Sequence, residues 1–166
     1  IILPATVTTV GNDAFSNNPN LTSVTINSTQ VNASQAFDNI ATTITTVNIG
    51  PGVTATSGLF TGSTGIGTLD IAANAVTSSA SFDNLIIGTL TIDGTATING
   101  SSFGSSTITL CTIGDGITLP ANAFFQANFT TLNIGDNLTT GGSSFDDVTI
   151  GTMTIGTDAE IVTGTF

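Results

Sequence analysis

Apolar residues recur along this chain as a triplet, apolar-x-apolar, and a Phe follows eleven residues after the last of the three. Ile26 and Phe37, Ile49 and Phe60, Ile71 and Phe82, Ile92 and Phe103 keep this interval, as do Ile113 and Phe124, Ile134 and Phe145, and Ile155 and Phe166. Leu3 and Phe15 form a first copy one residue longer. Successive Phe residues are 22, 23 and 22 apart up to Phe82, and 21 apart from there on. A fixed period of this kind predicts stacked coils, none of which buries a core alone.

Within a copy, Val24 and Ile26 alternate with Ser23, Thr25 and Asn27. That two-residue alternation predicts a strand with one wet face. A second apolar point follows four to six residues later, at Val31, Val53, Val76, Ile98, Ile117, Leu138 and Ile161. It predicts a second short extended segment. Several connectors supply a third, at Leu85-Ile86-Ile87, Ile108 and Val148 to Ile150. Gly50, Gly114, Gly135 and Gly156 directly follow the triplet Ile, where the chain must turn a corner. No window combines helical spacing with good helix formers. The pattern predicts an all-β parallel β-solenoid over 1–166. It has about eight coils of 21–23 residues, two or three short strands in each, and little or no helix. The coils end near Phe15, Phe37, Phe60, Phe82, Phe103, Phe124, Phe145 and Phe166, and the rings of Phe82, Phe103, Phe124 and Phe145 are expected in one buried column.

Two stretches carry a family resemblance. Asn12-Asp13-Ala14-Phe15 followed by Leu21-Thr22-Ser23-Val24-Thr25-Ile26 resembles the BspA-type leucine-rich repeat. So does Ile113-Gly114-Asp115-Gly116-Ile117, leading to Asn122-Ala123-Phe124 and Leu132-Asn133-Ile134. The resemblance implies a right-handed leucine-rich-repeat solenoid, with a triplet strand on one face and an Ala-Phe pair filling the core from the other. It also implies an extracellular or cell-surface protein of adhesion or recognition, without catalytic residues. The chain departs from the family pattern in its shorter later coils, in its lack of Lys and Arg, and at the Ala. Leu59, Ser81, Ser102, Ser144 and Thr165 stand where the pattern has that Ala.

Charge narrows the function classes. The chain has eleven acids and no Lys, Arg or His, a formal net charge of −11. Nucleic-acid binding and attraction to an anionic membrane both need cations, so neither is expected. No stretch is long and apolar enough for membrane insertion as a helix. Ion pairs between side chains are impossible, which leaves apolar burial and hydrogen bonds to hold the fold. The acids would interact chiefly with one another, which raises carboxylate pKa values. Cys111 is the single cysteine, so an intrachain disulfide is impossible, and its triplet position reads as a small buried hydrophobe.

Candidate chemistry is sparse. Asp146-Asp147 is the one adjacent acidic pair, and neighbours on a strand point to opposite faces. No catalytic residue and no cofactor site is legible. Asp115 and Asp136 share a register two residues after the triplet Ile, with Asp93 and Asp158 one residue to either side. Stacking brings such acids to about 5 Å, where they repel unless solvated or bridged by Ca²⁺. They read as solvated turn residues, with Asp115 and Asp136 as Ca²⁺ candidates. Asn-x-Ser/Thr sequons begin at Asn20, Asn27, Asn32, Asn99, Asn128 and Asn137. The outward triplet residues Thr25, Asn48, Asp70, Thr91, Thr112, Asn133 and Thr154 form an exposed ladder. Its Thr89-Thr91 and Thr152-Thr154 pairs fit a Thr-x-Thr ice-binding array, which Asn48, Asp70 and Leu110 interrupt.

Neither end carries an atypical polar cap. The chain opens on Ile1-Ile2-Leu3 and closes on Phe166, as a mature or trimmed piece of something longer would. Ile1, Leu3 and Phe166 are the expected end-to-end contacts of a head-to-tail homopolymer. The sequence reading is thus an extracellular structural or interaction solenoid that self-associates end to end into a fibre or forms part of a surface protein. An adhesin face for an extracellular protein or glycan is the alternative, and an ice-binding sheet the third.

Overall fold

The computed structural model describes residues 1–29 and 35–166. Val31 and Asn32, expected as a second apolar point and a sequon, lie outside the described residues. The strands are β1 (Ile2–Leu3), β2 (Ser23–Ile26), β3 (Ile44–Ile49), β4 (Thr54–Ala55), β5 (Gly65–Ile71) and β6 (Val76–Thr77), then β7 (Ile86–Ile92), β8 (Thr107–Ile113), β9 (Thr118–Leu119), β10 (Asn128–Ile134), β11 (Thr139–Thr140) and β12 (Thr149–Ile155). No helix occurs among the described residues.

Eight of the strands form one parallel sheet, ordered β1-β2-β3-β5-β7-β8-β10-β12. Its register is the triplet register. Leu3, Ile26, Ile49, Ile71, Ile92, Ile113, Ile134 and Ile155 pair in succession, one on the next. Between β4 and β6, and between β9 and β11, lie two small parallel pairs that form a second wall. The chain is therefore a β-solenoid, each coil crossing the sheet once.

The connector's apolar point is not a third strand. Ile66, Ile87, Ile108, Phe129 and Ile150 pair with one another at the start of the same long strand that carries the triplet. Ile87, Leu90 and Ile92 are all buried, so the inward positions of β7 are first three and then two residues apart. The pairing passes over Gly67 and Gly88 together, a break in alternation that repeats in register.

The second apolar point holds in most coils. Val53, Ile98, Ile117 and Leu138 are buried. Val76 is the exception, because it pairs with the outward Thr54 and leaves Ala75 and Thr77 to face inward. Ile161 is 45% exposed.

Opposite the sheet, the Phe rings form one column. Phe15, Phe37, Phe60, Phe82, Phe103, Phe124, Phe145 and Phe166 stack in order, with centroids 5.1 to 5.9 Å apart. These are offset-stacked separations. Phe37 to Phe145 are fully buried. Each Phe sits in an arch with left-handed backbone two residues before it, and Phe15 to Phe145 have it two residues after as well. Before it stand Asp13, Gln35, Gly58, Ala80, Ser101, Asn122, Ser143 and Gly164. After it stand Asn17, Asn39, Gly62, Asn84, Ser105, Gln126 and Asp147. Left-handed backbone suits Gly, Asn and Asp best, which explains much of their recurrence beside the Phe. The arches are also laced together, as where Phe103 N–H donates to Ala123 O at 3.2 Å and Phe124 N–H to Ser144 O at 3.0 Å.

Buried hydroxyls serve the arch backbone. Ser144 Oγ lies 2.9 Å from Pro120 O and 2.8 Å from Gly141 O. Ser81 Oγ lies 2.9 Å from Ala55 O, and Ser106 Oγ 2.8 Å from Phe82 O. Ala55 O and Pro120 O also accept backbone N–H groups, from Ser78 at 2.9 Å and Ala123 at 3.4 Å, so there the hydroxyl adds a second bond. A buried carbonyl left alone would cost about 1–3 kcal/mol. Truncating a ring inside the column should cost more. Phe103→Ala is expected to lower stability by about 3–5 kcal/mol in urea denaturation, since a stacked column has no slack to refill the void.

Candidate functional site

The outward triplet residues lie in a single line across the sheet. Thr25, Asn48, Asp70, Thr91, Thr112, Asn133 and Thr154 are consecutive Cα partners from β2 to β12. Thr91, Thr112 and Thr154 are exposed, and the other four are half-buried. Asn48 Nδ2 donates to Thr25 Oγ1 at 3.3 Å, and Thr154 Oγ1 donates to Asn133 Oδ1 at 2.7 Å. A second line runs beside the first, two residues upstream. Ser23, Thr46, Thr68, Thr89, Leu110, Thr131 and Thr152 pair in succession. Sequence reading took only parts of this line, at Thr89, Leu110 and Thr152. The signal for the rest was the recurrence of Ser or Thr two residues before every outward triplet position except Thr112.

Parallel strands lie about 4.8 Å apart and residues two apart on a strand about 6.7 Å, so the two lines make a grid. Its groups are hydroxyls and carboxamides, which both donate and accept. Asp70 is its one charge and Leu110 its one apolar member. The shallow cavity of about 220 Å³ found in the structure is elsewhere, at the N-terminal end of the stack. Ile1, Phe15, Asn18, Asn20 and Leu21 line it.

The acids at the other corner turn toward backbone instead of toward one another. Asp115 Oδ1 accepts the Asp136 N–H at 2.9 Å, and Asp136 Oδ1 accepts the Thr157 N–H at 2.6 Å. Each carboxylate thus hydrogen-bonds the coil above. No three His, Cys, Asp or Glu residues group as metal ligands among the described residues. The Gly that follows the Ile is needed here for room. A Cβ at Gly135 would lie 2.9 Å from Asp115 N, and one at Gly156 would lie 2.7 Å from Asp136 N. Backbone freedom is required further on, at Gly52, Asn74, Gly116, Asn137 and Asp158, three residues after the Ile. The coil of Ile92 has no left-handed residue at that point. There Asp93 Oδ1 accepts the Thr95 N–H at 2.9 Å and the Thr95 hydroxyl at 2.7 Å, closing the turn from a side chain.

The remaining candidates have structural places. Asp146 and Asp147 lie in a turn, where Asp147 accepts from Gln126 Nε2 at 3.1 Å. Cys111 is fully buried between Leu90 and Leu132 in the triplet line, and burial pushes its thiol pKa far up. Asn20, Asn27, Asn99, Asn128 and Asn137 are all exposed, although Asn99 Nδ2 donates to Thr77 O at 2.5 Å. Of the expected end contacts, Ile1 and Phe166 are 40% and 51% exposed, but Leu3 is only 6% exposed. Leu3 pairs with Ile26 and is buried, and Ile1 lies beside Phe15 and Leu21 around the cavity.

The model of the BspA type leucine rich repeat region matches six copies in the chain, over residues 1–109 and 56–166. The chain belongs to the BspA-type leucine-rich repeat family. No curated protein and no solved structure matches it significantly. Where the BspA-type pattern has Ala before the Phe, the Ser and Thr of this chain are the residues whose hydroxyls meet arch carbonyls, at Ser81, Ser102, Ser144 and Thr165. Among the described residues of this BspA-type repeat, no helix is long and apolar enough to cross a membrane.

Two measurements check the local chemistry. The Thr95 hydroxyl and then the Thr95 amide hold the Asp93 carboxyl below its ordinary value of 3.8. This reverses the rise expected from acids that meet only acids. A carboxylate with a lowered folded pKa contributes stability above its unfolded pKa, and loses it as pH falls through the folded one. Asp93→Ala should therefore destabilise near neutral pH in urea titrations, and the difference from the parent should vanish in strong acid. Cys111 should not react with a thiol reagent in the native state and should react fully in denaturant, because a buried thiol without a neighbouring cation stays protonated.

Proposed function

We propose that this solenoid is a structural and interaction module of a secreted or cell-surface protein, whose two-line polar grid is the face that meets an extracellular protein or glycan. The observation that supports this reading is the register of that grid. Outward Thr and Asn side chains repeat strand after strand on a backbone fixed by seven parallel pairings. Rigid elements hold recognition groups more accurately than loops do. Membership of the BspA-type leucine-rich repeat family supports an interaction role as well. Chemistry at this face would have to run without His, Lys or Arg, and the grid offers one carboxylate, Asp70.

The test uses an immobilised panel of extracellular matrix proteins and glycans, read by surface plasmon resonance. The variant Thr91→Arg/Thr112→Arg places two bulky cations on exposed grid positions and leaves the core alone. A partner on the panel should bind the parent and lose about tenfold or more in affinity with the variant, while circular dichroism stays the same. Binding that the double variant does not weaken would overturn the assignment to this face. Thermal hysteresis of ice growth without binding to any macromolecule would replace it with the ice-binding reading.

A further inference from the structure

Among the described residues, the second wall is interrupted between the coil of Ile92 and the coil of Ile113. Five residues after the triplet Ile, an amide elsewhere reaches the coil before. Val76 N–H donates to Val53 O at 2.8 Å, Thr97 N–H to Ala75 O at 2.8 Å, Thr139 N–H to Ile117 O at 3.0 Å and Glu160 N–H to Leu138 O at 2.6 Å. Among the described residues no such bond joins Thr118 N–H to Ala96 O. Two residues further on, Ser78 N–H donates to Ala55 O at 2.9 Å and Gly141 N–H to Leu119 O at 2.7 Å. The Asn99 and Val162 N–H groups donate to the hydroxyls of Thr77 and Thr140. Pro120 stands at that place in the coil of Ile113 and has no N–H. Side-chain ties are missing at the same junction. Ser81, Ser102 and Ser144 donate to carbonyls of the coil before, at Ala55, Ser78 and Leu119, whereas Ala123 has no hydroxyl. At the corner, Asp115 and Asp136 reach the coil above, whereas Asp93 turns its carboxylate to Thr95 of its own coil.

The rest of the junction is intact. β7 and β8 pair from Ile86 and Thr107 to Ile92 and Ile113, and Phe103 lies on Phe124 at 5.1 Å. Ser101 N–H donates to Asn122 O at 2.8 Å and Ser105 N–H to Phe125 O at 2.9 Å. We propose that this junction is a built-in seam, at which the corner and the second wall open locally while the sheet and the ring column act as the hinge. A stack of coils is held by contacts between neighbours, so the junction with the fewest ties opens at the lowest cost. Across the gap the second wall is held by the packing of Ala96, Ile98, Ile117 and Leu119, all buried. Apolar contact is non-directional and does not fix a backbone spacing as a ladder does. Thr91 and Thr112 of the polar face are partners across the hinge, so opening bends that face along the line between them. The seam is argued from the bonding of this junction alone, whatever that face binds.

Thiol labelling of the native protein tests this. In a Cys111→Val background, Ile98→Cys and Ile117→Cys probe the seam, and Val53→Cys and Leu138→Cys probe buried positions in tied coils. The two seam variants should react with a thiol reagent about tenfold or more faster than the two controls. Their rates should also rise less steeply with urea, since a local opening exposes less surface than global unfolding does. Adding Pro120→Thr/Ala123→Ser supplies the missing N–H and hydroxyl, and should slow labelling at Ile98→Cys and Ile117→Cys toward the control rate. Amide hydrogen exchange on the parent chain gives a second reading, free of any destabilisation by the cysteines. The Thr118 amide should exchange about tenfold or more faster than those of Thr97 and Thr139, and Pro120→Thr/Ala123→Ser should restore its protection. Equal labelling at all four positions, or a seam rate with the urea dependence of the controls, would overturn the proposal. So would a Thr118 amide as protected as its equivalents, or a folded Pro120→Thr/Ala123→Ser chain whose seam still labels at the original rate.

Discussion

One rise per coil has to satisfy two contacts at once. The parallel ladder wants neighbouring strands about 4.8 Å apart, and the Phe rings on the opposite wall want an offset-stacked separation. A single repeat meets both only if equivalent positions lie over equivalent positions, coil after coil. Everything else in the structure serves that superposition. The left-handed residues beside each Phe aim its ring inward without using side-chain contacts. The buried hydroxyls donate to carbonyls of the arches, so each of these hydroxyls is itself satisfied inside the stack. Among the described residues one buried side-chain atom goes without a partner, Oδ1 of Asp38, whose other oxygen accepts from Asn39 Nδ2 at 2.7 Å.

The parts of this fold that depend on spacing could be read in the sequence. The interval from triplet Ile to Phe gave the coil, the register of the sheet and the column of rings. What escaped depends on dihedral angles. Val76 looks like Val53 in the sequence, but a shift of one residue turns it outward and brings Ala75 in, as a period of two requires. Ile87 was read as part of a separate segment because a regular strand does not place inward residues three apart. At the corner, spacing correctly stacked Asp115 and Asp136 in neighbouring coils. It could not say that each carboxylate would bend over a backbone amide, because that direction is set by the turn conformation. The left-handed sites were available as a pattern, since Asn, Ser, Gly and Asp recur two residues to either side of the Phe.

A chain without basic side chains must place its acids with care, and this one does so locally. Asp93 takes both its donors from Thr95, and Asp115 and Asp136 take one each from the coil above. Hydrogen bonds to N–H groups stabilise a carboxylate much as a cation would, at shorter range and without a second charge to desolvate. The same economy leaves the sheet face nearly neutral. Asp70 is the single acid on its two lines, so the face differs in character from the acidic corners beside it.

The two halves of a coil are under unequal constraint. From the triplet Ile to the Phe, the interval is eleven residues in seven copies and twelve in the first, whereas from each Phe to the next triplet Ile it is ten, eleven or twelve. The first arc spans the corner and the inward approach to the ring, and its one longer copy, in the first coil, still lays Phe15 on Phe37 at 5.2 Å. The return arc has an exposed connector before the strand begins, where an extra residue can be taken up as slack. Divergence among related solenoids should therefore concentrate its insertions and deletions between the Phe and the next strand. The grid is built on the strand that directly follows that variable segment, so its flanking relief can change between relatives while the lattice of hydroxyls stays in register.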